Sequence, residues 1–460
     1  MLDSQKFVIQ CLLPGFLLAL SGCQTTHKNN HQAPLVAGND TFLNGIAGKR
    51  PEISPSPWWR SLRAPELNEL IADALESNLT TQQFASRVKQ ADARKRKTGA
   101  ALFPTLEIGA DTARQDTHRL NESALASRER SSSIGILLDW EADIWGKLSA
   151  ATQAAELDVD AARYDWLGAQ LLLSSSVSET YLEIIEQRQL LDLLNDQVEV
   201  NETLAKLTEL RYGQGQASIV DILQQREQLE ATRSLFPDTE AQLKDLDYAL
   251  AVLLGRAPQT ETIVKSTEFP DPSRLRSNGT PSALLKERPD LLAASARIGA
   301  IDHRVAEAVA DRLPQFSLRA SLTASGVPSL ESLVSNLVGE ALIPIIDGGE
   351  RKAEIELRKA QLEEAIQSYS ELYLEAIREV ETALFRESKQ AERVSLLEDQ
   401  LKTAQKLLSE TRNRYSNGLT DYLPVLAAIQ SVQRLERALI SNKRIHLSYR
   451  VAIHRALGGQ

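Results

Sequence analysis

The chain has 460 residues, enough for a large core or several domains, and 42% hydrophobic against 25% charged residues is the balance of an ordered protein. A net charge of −10 provides no basic footprint for nucleic acid. After residue 22 no window approaches the roughly 20 apolar residues of a membrane-spanning helix, so any entry into a membrane must take another route.

That route begins at the N-terminus. Lys6 precedes an apolar run from Phe7 to Leu20, interrupted by Pro14-Gly15 and ending at Leu20-Ser21-Gly22-Cys23. A short apolar run closed by small residues reads as a secretory signal rather than a span, and Leu-Ser-Gly-Cys resembles the bacterial lipoprotein signal. The resemblance implies that residues 1–22 are removed, that the Cys23 thiol carries lipid, and that Gln24, in place of Asp, directs the protein to the outer membrane. The alternative is an ordinary signal peptide with an incidental cysteine. Cys11 lies in the removed part, so the mature chain has no second cysteine for a disulfide or a cysteine-based metal site. Residues 23–57, polar and rich in Gly, Pro and Asn, read as a tether.

Trp58-Trp59-Arg60 opens the ordered part, its indoles readable as exposed interface anchors or, the reading preferred, as a hydrophobic dock for the first helix. Leu67, Leu70, Ile71, Ala74 and Leu75 recur at helical spacing, and a helix is expected from Pro65 to Leu102, where Phe103-Pro104 stops it. From Thr105 to Thr112 the period changes: residues 106, 108 and 110 are apolar between polar or small neighbours, as in a strand with one greasy face. A polar segment from Arg114 to Arg130 follows, then a second strand from Ile134 to Trp145, giving a hairpin with a long polar tip. Lys147 to about Arg211 is free of proline and carries Leu190, Leu194, Val198 and Leu204, Leu207, Leu210 at coiled-coil-like spacing. Such a helix spans roughly 95 Å at about 1.5 Å per residue.

Arg211-Tyr212-Gly213-Gln214-Gly215 ends that helix. Gly215 supplies the permissive backbone, and Ser218 is the candidate N-cap of a helix reaching Gly255, with a break or kink expected at Pro237. Residues 256–281 contain four prolines and little periodicity, as suits a surface connection or a belt around the helices.

The remainder repeats this order. Arg288-Pro289-Asp290-Leu291 opens a helix to Leu313, and Pro314 matches Pro104 at an offset of 210 (314 − 104). Strands are expected from Gln315 to Thr323 and from Leu337 to Asp347. Gly349 matches Gly146 at an offset of 203 (349 − 146), so the second hairpin is shorter. Glu350 to Arg414 is the second very long helix. Arg414-Tyr415-Ser416-Asn417-Gly418 matches the first turn at the same 203 (414 − 211), and a last helix starts from Thr420 or Asp421 and runs to about Leu457. The chain is therefore two repeats, 58–255 and 282–460, joined by 256–281, each built as helix, β-hairpin, very long helix, turn, helix.

Four strands of about ten residues match the length of outer-membrane strands. Four cannot close a barrel, and open edges are not viable in lipid. Three copies would provide 12 strands (4 × 3), with the amphipathic helices continuing as a bundled periplasmic cylinder. A hollow, lipid-anchored cylinder is a conduit.

The lipoprotein signal, the run Asp139-Trp140-Glu141-Ala142-Asp143-Ile144-Trp145-Gly146-Lys147, Arg288-Pro289-Asp290-Leu291, Asp347-Gly348-Gly349 and the two Arg-Tyr-x-x-Gly turns together resemble the TolC-type outer-membrane factors of the OprM/NodT lipoprotein branch. The likeness covers residues 58–457 in order. It implies a mainly helical homotrimer with a 12-strand β-barrel continued by a periplasmic α-helical barrel. It further implies docking to a periplasmic adaptor and an inner-membrane pump of the resistance-nodulation-division type, expelling drugs or other small molecules without catalysis or cofactor. An exporter of proteins driven by ATP is the alternative use of such a conduit, and a non-transport lipoprotein scaffold a further one. Read on this chain, the resemblance makes the two turns the periplasmic tip. Arg211, Tyr212, Gly215, Arg414, Tyr415 and Gly418 are then candidates for tip structure and adaptor docking. The helix after the second turn projects a gate: Leu423 follows the aromatic Tyr422 as expected, but the acid usual four residues on is Ala427. A constriction packed from Leu423 and Tyr422 is expected, with Asp421 as a substitute acid or an N-cap. The six histidines, 27, 31, 118, 303, 446 and 454, show no metal-ligand spacing, and no phosphate loop is present.

Overall fold

The structure, a computed structural model, describes residues 41–45, 57–117, 127–258, 262–272, 280–327 and 329–459. The signal segment and Cys23 lie outside the described residues. Thirteen elements follow in order, besides short 3₁₀ turns: α1 (Pro65–Ser77), α2 (Leu79–Gly99), β1 (Thr105–Thr117), β2 (Ser127–Ala142), α3 (Lys147–Gly213), α4 (Ile219–Arg233), α5 (Leu235–Leu253), α6 (Pro281–Glu287), α7 (Pro289–Ala310), β3 (Gln315–Ser325), β4 (Ser332–Leu342), α8 (Glu350–Ser416) and α9 (Tyr422–Ala456). No described helix is long and apolar enough to cross a membrane.

Two compact units divide the chain. One comprises Val88–Ala162 and Ala294–Tyr369 over its described residues; the other comprises Leu35–Arg87, Arg163–Ala293 and Ser370–Gln460. The first holds a four-stranded antiparallel sheet of order β1-β2-β3-β4, so the two hairpins lie side by side with β2 against β3. Thr105 pairs with Asp139, and Gln315 with Leu342. The offsets between these equivalent pairs, 210 for one strand and 203 for the other, are the two offsets visible in the sequence. Leu106 and Ile108 lie opposite Leu138 and Ile136, and Ile136 in turn opposite Leu322. The alternation therefore continues across strands as one apolar face, while Glu107, Asp139 and Arg319 share the other; Arg319 Nε donates to Asp139 at 3.0 Å.

Strand ends differ from expectation. Arg114 to Thr117 and Ser127 to Arg130, expected in a polar tip, are paired in the ladder. Pairing is a backbone property, so polar side chains do not end it. β2 stops at Ala142 because Asp143 turns the chain: its carboxylate accepts from the N–H groups of Leu148 and Ser149 at 2.9 and 2.8 Å, capping α3. β4 spans Ser332–Leu342 rather than 337–347. Leu342 faces the first residue of β3, so 343–347 have no ladder partner there, and Pro344 has no N–H to donate. Trp145 Nε1 donates to the Pro314 carbonyl at 2.7 Å. The carboxylate of Asp311 binds Lys147 at 3.0 Å and Arg351 at 3.0 Å, joining the first turns of α3 and α8.

In the helical unit the expected single helix before β1 is two. Asn78 adopts an extended conformation, and its Oδ1 accepts from the N–H groups of Thr80 and Thr81, so it caps α2. Its Nδ2 donates to the carbonyl of Leu253, the last residue of α5, at 2.9 Å. In the second repeat Arg288, 210 residues on, donates to the carbonyl of Ala456, the last residue of α9, at 3.2 Å. Each repeat thus fastens the end of its final helix to the start of its second. Gly255 and Gly458 complete the clasp with φ of +69° and +85°; a Cβ there would lie 2.4 Å from the Ser77 carbonyl oxygen or 2.7 Å from that of Glu287. The main core gathers Trp58, Leu62, Leu67, Ile71, Val177, Ile184, Ile185, Leu250, Leu254 and Val451. Trp58, in line with a docking role, is buried there, stacked on His454. Within the expected tether, Phe42 is buried and the N–H groups of Leu43 and Asn44 donate to Glu381 of α8.

The break assigned to Pro237 falls at Ser234. α5 then begins at Leu235, and Pro237 sits in its first turn, where a missing N–H costs nothing.

Candidate functional site

The two Arg-Tyr turns end α3 and α8, which have 67 residues each. In the first, Gln216 N–H donates to Arg211 O at 2.8 Å and Gly215 N–H to Tyr212 O at 2.9 Å; in the second, Leu419 and Gly418 donate to Arg414 and Tyr415 at 2.9 and 3.0 Å. This six-to-one and five-to-two pattern needs a left-handed residue, and Gly215 and Gly418 supply φ of +69° and +70°.

The helices that leave the turns start differently. Ser218 and Asp221 form a reciprocal capping box, each side chain bonded to the other's N–H at 3.2 and 2.8 Å. Asp421 occupies the same place before α9 but makes no capping hydrogen bond. The residue three on is Pro424, which lacks the N–H that Asp221 offers. Asp421 is thus an N-cap by position only, and its carboxylate is exposed.

Three of the candidate side chains meet. The Arg211 guanidinium lies over the Tyr415 ring, 4.2 Å from its centroid, and the Tyr415 and Tyr422 rings are 5.5 Å apart. Among the described residues, Arg211 Nε and the Tyr415 hydroxyl are buried without hydrogen-bond partners, so this stack is a contact of ring faces and charge. Burial pushes the Tyr415 hydroxyl up, against the opposing pull of Arg211.

Tyr422 corrects the expected gate. It does not project from the protomer; it is buried with Val425, Leu426 and Ile429 of α9 against Leu204, Leu408 and Tyr415, and its hydroxyl donates to Gln225 Oε1. Burial pushes that hydroxyl up to about 12. A side chain packed inward cannot narrow a channel, and of the expected pair only Leu423 is exposed, with Ala427 exposed one turn on. Tyr212 and Arg414, the other members of the twin Arg-Tyr pairs, are exposed as well.

Above the stack lies a buried layer of amides. Gln225 donates to Asn201 O at 3.0 Å, Asn201 to Thr232 at 2.9 Å, Gln433 to Asn201 Oδ1 at 3.2 Å, Gln228 to Gln433 Oε1 at 3.0 Å and Gln430 to Gln228 Oε1 at 2.8 Å. Asn201, Gln225 and Gln433 are buried. The layer joins α3, α4 and α9, each amide filling another's capacity, as buried polar groups require. Sequence reasoning missed it; its trace is glutamine at 225 and 228 and again at 430 and 433, of which 225, 228 and 433 are buried. Among the described residues no cluster of His, Cys, Asp and Glu could hold a metal ion.

Residues 70–256 and 280–459 match the family model described as outer membrane efflux protein. The chain is similar to the pyoverdine export outer membrane protein OpmQ of Pseudomonas putida, with 29% identity over 98% of this chain and 97% of that one. It is similar to nodulation protein T of Rhizobium leguminosarum bv. trifolii, with 24% identity over 93% and 92%. Its fold matches the solved structure of the outer-membrane channel OprN with a TM-score of 0.86 and 24% identity, covering 94% of this chain and 98% of that one.

Proposed function

The chain belongs to the outer membrane efflux protein family, and on that premise we propose that three copies form a conduit passing small molecules from a periplasmic adaptor and an inner-membrane pump to the outside. The observation that carries this reading is the sheet. Its four strands present one continuous apolar face, and β1 and β4 are open edges. Lipid tolerates the face but not the edges, so the sheet needs further copies, and three give a 12-strand barrel (4 × 3).

The two repeats, 58–255 and 282–460, then put six turns (2 × 3) around the periplasmic mouth, where Tyr212 and Arg414, exposed on the protomer, are the side chains that meet the adaptor. Arg211, Tyr415, Gly215 and Gly418 hold the turns in shape. Leu423 faces the constriction; Tyr422 anchors its helix from inside. Asp421, free of capping, is the carboxylate nearest the gate in the absence of one at 427. Cys23 carries the lipid that keeps the assembly at the outer membrane.

The pump we propose is of the resistance-nodulation-division type, which supplies the energy, so the channel catalyses no reaction. OpmQ is named for pyoverdine export and the family for efflux; a small-molecule cargo follows for this chain. Purified protein in a planar bilayer should conduct in discrete steps, and the native chain should co-purify with one adaptor and pump. A preparation of assembled protein that never conducts ends the conduit reading.

A further inference from the structure

The sheet has a rim where its strands meet the helices, with Thr105 opposite Asp139, Ala142 opposite Phe316 and Gln315 opposite Leu342. Just inside this rim the apolar face carries Leu106 and Trp140, and Phe103 stands immediately before β1; Phe103 is 70% and Leu106 67% exposed. The Trp140 indole N–H donates at 3.1 Å to the carbonyl of Leu102, in the short 3₁₀ turn between α2 and β1. An aromatic ring with an apolar body and a satisfied polar tip, at the end of an apolar band, marks the level where hydrocarbon gives way to headgroups.

The end of α2 approaches this level and is strongly basic: Arg94, Lys95, Arg96 and Lys97 are consecutive, and the helix stops at Gly99. Lys95 is engaged by Glu156 of α3 at 2.6 Å. Arg96 reaches Asp92 at 3.3 Å, but its side chain is 76% exposed, and a pair so open to water is worth little. Arg94 and Lys97 are exposed and have no ion-pair partner among the described residues.

The duplication shows that the fold does not require these charges. At the offset of 210, Lys95, Arg96 and Lys97 correspond to Val305, Ala306 and Glu307 of α7 (95 + 210; 96 + 210; 97 + 210), a helix that runs into β3 as α2 runs into β1. Arg94 corresponds to Arg304 (94 + 210), which is bound to Asp158. The cation Arg312 follows α7 at the place of Leu102, outside the helix. No basic residue stands in the last turn of α7, so neither the helix dipole nor the joint with the strand demands cations here. The aromatic pair is also confined to the first repeat, since Phe103 corresponds to Leu313 (103 + 210) and Trp140 to Ile343 (140 + 203).

We propose that Arg94, Arg96 and Lys97 bind the phosphate of an anionic phospholipid of the phosphatidylglycerol kind in the periplasmic leaflet, with Phe103 and Trp140 against the upper part of its acyl chains. The inference rests on the reading of the sheet as part of an outer-membrane barrel. A phosphodiester keeps its charge at any physiological pH, and a guanidinium can bind it through two parallel N–H bonds. The long stems of Arg and Lys lie along apolar surface while their heads reach the phosphate. A soluble anion would use the cations and leave Phe103 and Leu106 bare, whereas a phospholipid covers both.

The test is native mass measurement of the full-length lipoprotein in detergent, titrated with phosphatidylglycerol or with phosphatidylcholine. The native trimer is expected to favour phosphatidylglycerol by at least about fivefold, the effect of one cation at an anionic headgroup, and to lose most of that preference at high salt. Arg94→Gln, Arg96→Gln and Lys97→Gln combined should bring the two lipids close to equal. The charge-keeping set Arg94→Lys, Arg96→Lys and Lys97→Arg should retain the preference, as should Lys402→Gln with Lys406→Gln, exposed on α8. A native trimer without the preference, or a combined glutamine variant that keeps it, overturns the site and leaves the barrel reading standing. Displacement of the lipid by millimolar inorganic phosphate at constant ionic strength overturns it in favour of a soluble anion. Unchanged lipid binding with a reversal potential shifted towards cations in the glutamine variant places these side chains in the duct instead. A chain monomeric by native mass overturns the barrel reading, and the site with it.

Discussion

Arg211 of the first turn lies over the ring of Tyr415 of the second, 4.2 Å from its centroid, so the two repeats are fastened to each other at their tips by a contact neither could make alone. The Tyr415 hydroxyl has no partner, so the ring is what matters. Tyr415→Phe should keep or slightly raise stability, while Tyr415→Ala or Arg211→Ala should cost about 1–2 kcal/mol and speed amide exchange at residues 415–422. Tyr212→Ala and Arg414→Ala, exposed in the protomer, should leave the melting of the chain unchanged and weaken adaptor capture instead.

Tyr422 reports on alkali. Its folded hydroxyl stands at about 12 against an ordinary 10. Between those values the folded state keeps a proton that the unfolded chain has lost, so stability falls as pH rises from 10 towards 12. Tyr422→Phe should flatten that limb, and should itself cost about 1–2 kcal/mol by leaving buried Gln225 Oε1 without its donor. Denaturant titrations at pH 8 and 11.5 separate the two effects.

Glu387 reports on acid. Burial by itself would push its carboxyl up, but the hydrogen bond from His446, at 3.1 Å, and the charge of Arg450 outweigh it and hold the group below the usual carboxylate range. A depressed carboxylate contributes stability above its unfolded value, and that contribution is lost as pH falls through the folded one. Melting temperature should therefore decline below about pH 4.5, and Glu387→Gln should lower stability at neutral pH and make the acid limb shallower.

Gate substitutions should divide by side-chain direction. Leu423→Ala, on the exposed side of α9, should raise single-channel conductance with little change in melting. Tyr422→Ala, inside the protomer, should lower stability by about 3–5 kcal/mol. Ala427→Asp would set three carboxylates at one level, and the reversal potential in a salt gradient should shift towards cation selectivity. Equal selectivity before and after would place Ala427 away from the lumen.

Glycines should divide as well. A Cβ at Gly215 or Gly418 meets nothing within 4 Å, so alanine there costs only the left-handed backbone, about 1–2 kcal/mol. At Gly255 or Gly458 the same backbone cost is joined by a clash with a carbonyl oxygen, and alanine should cost more than the sum of both tip variants, seen in thermal unfolding.

Much of the fold was legible in advance. The two offsets, 203 and 210, anticipate the sheet, because they are the offsets between equivalent residues of its paired strands. The turns were legible because a left-handed residue four places after an Arg-Tyr helix end has few solutions. The break at Asn78 was not, since apolar spacing continues through it and the signal is one side chain reaching α5. Nor was the failure of Asp421 to cap, although its cause, Pro424, is in plain view: the rule that names Asp as a cap says nothing about the donor it needs.

Local backbone preference and periodicity, both legible in the chain of residues, settled the order of the elements, the duplication and the face each strand or helix could bury, but not where every element begins and ends. Which of two adjacent residues, Tyr422 or Leu423, turned inward was settled by packing against other helices. Tyr422 is buried and Leu423 is not because Gln225, Leu204 and Leu408, on three other helices, converge on the first and leave the second bare. Periodicity says which residues share a face; packing alone says what stands opposite it.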